Sequence, residues 1–157
     1  MSRISYPSAR IVKVPGATLA VNTTQYADND LVGTLMTLNV GKSGIIQGVS
    51  LQDIDSQAAA LEVYLFDVYP VNTTFTNNSA LDVADADLPN CFAQFAIGAS
   101  DYLAIADNSV STTKGLAIPY QAGDGKNIYA AFRSAAATPT YTASGLSVSW
   151  LLLIDPE

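Results

Sequence analysis

Gly41-Lys42-Ser43 has the residue types of a phosphate-cradling loop. Such a loop needs a further Gly five positions before its Gly-Lys step, with a strand leading in and a helix leading out, so that backbone N–H groups and the helix N-terminus face the phosphate. Position 36 is Met36, and the segment that follows, GIIQGVSLQDI, alternates with the period of a strand. The run from Asn39 to Gly44 therefore reads as a hairpin turn between LVGTLMTLN and IIQGVSLQDI.

Other chemistries fare no better. The chain has no histidine, which removes the commonest general base and metal ligand, together with Ser-His-Asp and Cys-His nucleophiles and Cys/His zinc sites. Carboxylates remain, in three runs: Asp28 with Asp30, Asp53 with Asp55, and Asp82, Asp85 and Asp87. Paired carboxylates serve glycoside hydrolysis or hold Ca²⁺. None of these runs carries the fixed Gly and distal Glu of a calcium loop, and the only glutamates are Glu62 and Glu157. They read as solvated loop residues. The single cysteine, Cys91 in PNCFAQF, has no base or cation beside it and reads as a small packing group. The sequence thus predicts a protein that is not an enzyme and takes no cofactor or metal.

Aromatic side chains at loops and strand ends, among them Tyr26, Tyr69, Tyr120, Tyr141 and Phe75, suit a sugar platform or a protein interface. Trp150 falls on the apolar face of the last strand and reads as core.

Composition narrows the partners. Of 157 residues 49% are hydrophobic and only 13% charged, against about 25% in an average soluble domain. Ser and Thr fill 27 positions. A surface so short of charge suits faces covered by neighbours. The net charge is −7 and the seven Lys and Arg are scattered, which argues against nucleic acid as a partner. No basic amphipathic stretch or long apolar run suggests a membrane. The first residues lack a secretory leader's apolar run, so the Asn-x-Ser/Thr triplets at Asn22, Asn72 and Asn77 read as chance.

The elements that must position any site are strands. RIVKV ends at a Pro15-Gly16 turn signal, and TLAVN, LVGTLMTLNV, IIQGVSLQDI and LEVYLFDV follow. In the third and fourth of these, spacing places Ile45, Gln47, Val49 and Leu51 on one face, and sets Leu61, Val63 and Leu65 opposite Glu62, Tyr64 and Phe66. Tyr64 and Phe66 are expected to pack on a second surface. Residues 70–90 are polar and acidic, with a helical turn expected over Leu81 to Leu88, Asp82 as its cap and Pro89 its stop. Then come CFAQFAI, YLAIA, LAIPY, a QAGDGK turn, NIYAAFR and LSVSWLLLID, whose Leu146, Val148, Trp150 and Leu152 face one way. About ten short strands with no long helix predict an all-β fold, an antiparallel β-sandwich of jelly-roll-like form. Residues 1–15 read as an N-terminal arm and 16–157 as one domain.

Two stretches carry a resemblance. LQDIDSQAAALEVYLFDVYPVNTTFTNNSALDVADADLPNCFAQFAI is similar to a pattern in small virion proteins of tailed bacteriophages: a strand ending in Leu-Phe, a Pro- and Thr-containing loop, an acidic D-x-D step and a new strand. NIYAAFRSAAATPTYTASGLSVSWLLLID resembles their ending, a strand, a TPTYT-like loop and a final apolar strand. The resemblance spans most of residues 20–154. It implies a capsid decoration (cement) protein: a β-sandwich, commonly trimeric, made in the host cytoplasm and seated on the outer shell of major capsid protein in the virion. Its partners would be that capsid protein and its own copies. Arg3, Tyr6, Arg10 and Lys13 in the arm are then the expected contacts to the capsid or a neighbouring subunit. The alternative, under the same resemblance, is a phage tail-tip or fibre domain that binds a host glycan through loop aromatics and acidic residues.

Overall fold

The computed structural model describes residues 9–135 and 137–155. These residues form nine strands: β1 (Arg10–Thr18), β2 (Met36–Asn39), β3 (Ser43–Asp53), β4 (Leu61–Phe66), β5 (Cys91–Ile97), β6 (Tyr102–Ile105), β7 (Asn108–Gln121), β8 (Asn127–Ser134) and β9 (Leu146–Ile154). They form two antiparallel sheets, ordered β1-β9-β3-β7-β6 and β2-β8-β4-β5. With β6 set aside as a hairpin partner of β7, consecutive strands alternate between the sheets, save for β4 and β5. That interleaving is a jelly roll. The expected all-β sandwich is what the chain forms.

The alternating segments explain the core. Leu61, Val63 and Leu65 of β4 and Leu146, Val148, Trp150 and Leu152 of β9 are buried between the sheets. Trp150 lies edge-on to Phe95, with centroids 6.5 Å apart, and tilted against Phe132 at 6.3 Å. Burying an aromatic residue of this size contributes on the order of 2–3 kcal/mol.

The turn signals mark real reversals, but several lead somewhere unexpected. Val40 to Lys42 do not close a hairpin, because β2 and β3 lie in different sheets. The segment between β7 and β8 also crosses sheets. The two crossings lie side by side: Val40 N–H donates to Lys126 O at 2.9 Å and Ala122 N–H to Lys42 O at 2.9 Å. Gly41 and Gly125 take positive φ there, whereas Gly123 is needed for space against Asp67 O and Val68. Pro15-Gly16 is not a turn either. The two residues oppose the single Ser149 as a bulge, so β1 runs on to Thr18 and the expected boundary at residue 15 falls inside it.

A second bulge displaces Gln47, between Ile46 opposite Leu152 and Gly48 opposite Leu151. It moves Ile45 to the outer face and leaves Ile46, Val49 and Leu51 in the core, so the expected single face is split. TLAVN is not a strand beyond Thr18, and LVGTLMTLNV is one only over Met36–Asn39. The expected strand LAIPY is only the end of β7, which begins at Asn108. The expected helical turn at Leu81 is replaced by a 3-10 turn at Leu88–Asn90 that contains Pro89, and Asp82 caps nothing.

Candidate interaction surface

Each sheet has an outer face, and the two are finished differently. On the four-stranded sheet, residues 67–90 fold back over β4 and β8. Phe66, Tyr129 and Ala131 are buried with Leu31 and Leu81 in a second apolar cluster, against which Phe75, Val83 and Tyr64 pack. Tyr64 and Phe66 thus meet the second surface expected of them. Backbone bonds stitch the loop down: Leu31 N–H to Ser79 O at 2.8 Å, Asn78 N–H to Leu31 O at 2.9 Å and Leu81 N–H to Asn29 O at 2.9 Å.

Asp87 is the loop's staple, a role not readable from its place in an acidic run. Its buried carboxylate accepts from Asn72 N–H at 2.9 Å, Asn72 Nδ2 at 3.0 Å and Thr73 Oγ1 at 2.7 Å. Burial alone would raise its pKa, but the hydrogen bonds from Thr73 and Asn72 outweigh it and hold the carboxyl below its ordinary value. The other carboxylate runs behave alike. Asp53 is buried and accepts from Asp55 N–H and Ala58 N–H. Asp55 accepts from Thr142 N–H and its hydroxyl, and Asp30 from Ala27 N–H. These carboxylates tie backbone together. Among the described residues no three Cys, Asp or Glu side chains converge as a ligand set.

Beside the loop, the outer face carries a polar cluster. Arg133 pairs with Glu62, and its guanidinium carbon sits 5.3 Å from the centre of the Tyr64 ring. Tyr64 donates to Glu62 at 2.7 Å. Burial and that bond push the Tyr64 hydroxyl up to about 12. The Tyr64 bond, against partial burial and aided by Arg133, holds Glu62 below the usual carboxylate range. With Gln94 and Phe95 these side chains line an open groove of about 450 Å³.

The outer face of the five-stranded sheet has no such cover among the described residues. Register aligns its side chains in rows across the strands. Ile11, Leu153, Ile45 and Pro119 form one apolar row through β1, β9, β3 and β7. The next row is Lys13, Leu151, Gly48 and Lys114. Gly48 leaves a gap there, a groove of about 200 Å³ walled by Leu151 and the two lysines. Any Cβ at Gly48 would lie 2.7 Å from Thr113 O. A hydroxyl row of Ser149, Ser50 and Thr112 follows, with Ser50 Oγ 3.2 Å from Thr112 Oγ1. Ile11 is 75% exposed and Leu151 41%.

Charge follows the same division. The five-stranded sheet holds Arg10, Lys13 and Lys114, and its one acidic strand residue, Asp53, is buried. Asp155, just past β9, accepts from Ser43 Oγ at 2.7 Å. Lys13 and Lys114 stand in its outer rows, so on a chain of net charge −7 this face carries two lysines and no strand carboxylate.

The expected contact residues divide between the two accounts. Arg10 and Lys13 stand on the edge strand β1, Lys13 beside the groove. Arg3 and Tyr6 lie outside the described residues. Of the loop aromatics, Tyr26, Tyr120 and Tyr141 are buried, and Tyr69 is exposed edge-on to Tyr129. Asn72 and Asn77 spend their side-chain amides internally, Asn77 on Tyr26, Gly33 and Ala20. The outer rows were missed, though WLLLI carries their signal: a strand apolar at both parities is apolar on its outer face as well as its inner one.

No family model and no curated protein matches the sequence. Among solved structures the chain is similar to the native virion of Kashmir bee virus at neutral pH, at 12% identity over 93% of this chain and 70% of that chain. The TM-score is 0.32, too low for the likeness to add to what the strand order already says. No helix among the described residues is long and apolar enough to cross a membrane.

Proposed function

We propose that this chain is a viral structural protein of the capsid-decoration (cement) type, which binds the outer surface of a major capsid protein shell and stabilises it without catalysis. The observation that carries the reading is the broad outer face of the five-stranded sheet, which no described residue covers. Five strands about 4.8 Å apart and some nine residues long make a face of roughly 700 Å². A standard interface takes about 800 Å² per partner. A face on that scale, with an apolar row beside a groove flanked by lysines, on a jelly roll whose carboxylates hold loops, suits an assembly component. Repeated over a shell, modest contacts add by multivalency.

The test is attachment. Purified protein mixed with phage heads that lack it is expected to cosediment with them and raise their melting temperature. Protein left in the supernatant, or located on the tail by imaging intact particles, overturns the reading. Deleting residues 1–8, which leaves β1 whole, is expected to abolish head binding without changing the isolated domain's melting. Retained binding removes Arg3 and Tyr6 from the contact.

The groove of Glu62, Tyr64, Gln94, Phe95 and Arg133 favours a second reading, a tail-tip or fibre domain recognising a host glycan. An aromatic face beside hydrogen-bonding side chains is what a sugar requires. Binding on a glycan array, lost in Arg133→Ala, would select it.

A further inference from the structure

We infer that the bare outer face of the five-stranded sheet is the docking site for residues 67–90 of another copy of this chain. The two surfaces match in charge. Lys13 and Lys114 flank the groove over Gly48, and among the described residues neither forms a salt bridge. Residues 67–90 contain four aspartates and no Lys or Arg. Asp87 is consumed as the staple, while Asp82 and Asp85 are exposed and form no salt bridge among the described residues.

The surfaces also match in apolar character. The loop exposes Val68, Tyr69, Val71 and Leu88, with Val71 74% exposed. Asp87 joins residues 72–73 to the start of the 3-10 turn, so Val71 and Leu88 flank one fixed point. Apolar side chains with carboxylates near them are what a face of Ile11, Ile45, Leu151 and Leu153 between lysines would accept. A loop already packed on its own sheet loses little freedom on docking.

The donor and acceptor surfaces belong to opposite sheets, so the contact is head-to-tail. Such a contact closes into a ring when its rotation divides a full turn and otherwise continues as a stack. In the cement reading this contact would join neighbouring copies and the shell contact would fall to residues 1–8, so shell binding is not a premise of this inference.

The experiment is sedimentation equilibrium of the full chain across concentration and salt. Wild type is expected to self-associate, more weakly as salt rises. Lys13→Glu with Lys114→Glu is expected to weaken association about tenfold or more, and Asp82→Lys with Asp85→Lys similarly, because each sets like charges opposite one another. All four substituted residues are exposed, and circular dichroism and melting check that each variant folds. The chain carrying all four changes is expected to recover association. A monomeric wild type, an unchanged lysine variant, or failure of the fourfold swap to restore association overturns the inference. A monomer that still cosediments with heads would sink this contact and leave the cement reading standing; an oligomer that ignores heads would do the reverse.

Discussion

The two outer faces of this sandwich begin from the same problem and end differently. β4 and β8 present Phe66 and Tyr129 outward, and the chain covers them with its own residues 67–90, leaving Phe66 0% exposed. β1, β3 and β9 present Ile11, Ile45, Leu151 and Leu153 outward, and no described residue covers them. Phe66 stabilises the fold whether or not a partner is present. Ile11 can contribute only when something docks. The covered face therefore belongs to folding and the bare face to assembly, and substitutions separate the two.

The largest effect is expected at Phe66. It packs against Phe75 at a centroid distance of 6.2 Å, and Phe66→Ala should cost about 3–5 kcal/mol in urea unfolding. A loss below about 1 kcal/mol would mean that residues 67–90 are not a packed layer.

Gly48 comes next, and it lies on the other sheet. Gly48→Ala places a methyl 2.7 Å from the backbone oxygen of Thr113, which must shift, at about 1–3 kcal/mol. The same substitution narrows the groove, so self-association should fall along with stability. Unchanged association would remove the groove from the contact.

Acid sharpens the comparison from the covered side. The folded Asp87 carboxyl lies below its ordinary value, so its contribution is present above the unfolded pKa, about 4, and is lost as pH falls through the folded one. Residues 67–90 are expected to loosen below about pH 4, seen as faster amide exchange at Asn72 and Ala84. Asp87→Asn should weaken the loop at neutral pH and remove that part of the acid dependence.

Legibility in the sequence divides along the same line. Strand content and the inward set of β4 and β9 follow from period-two alternation, which core burial enforces. The sheet to which each strand belongs does not follow. Gly41, Asp124 and Gly125 mark reversals, but a turn residue reports local φ and ψ and not the strand that lies alongside afterwards. Bulges at Pro15-Gly16 and Gln47 were hidden for a related reason. Each is set by the opposing strand, and the Gln47 bulge reverses the facing of Ile45 relative to Val49. Asp87 looks like its neighbours in DVADADL until the fold brings Asn72 and Thr73 to it. Lys13 and Lys114 are about a hundred residues apart and meet only across β9 and β3.

The smallest expected effect on stability lies at Ile11, and it decides what the bare face is for. At 75% exposure the side chain gives up little contact when replaced, so Ile11→Ser should change unfolding free energy by no more than about 0.5 kcal/mol. Its backbone pairing with Leu153 does not depend on the side chain. If the face is covered in the assembly, the serine must instead be desolvated against apolar neighbours, and association should weaken severalfold while the melting curve of the monomer stays put. A monomer curve that drops would place Ile11 in the fold proper. A variant unchanged in both stability and association would leave the apolar row through Ile11, Leu153, Ile45 and Pro119 without a use, and with it the distinction between a face closed by folding and one closed by assembly.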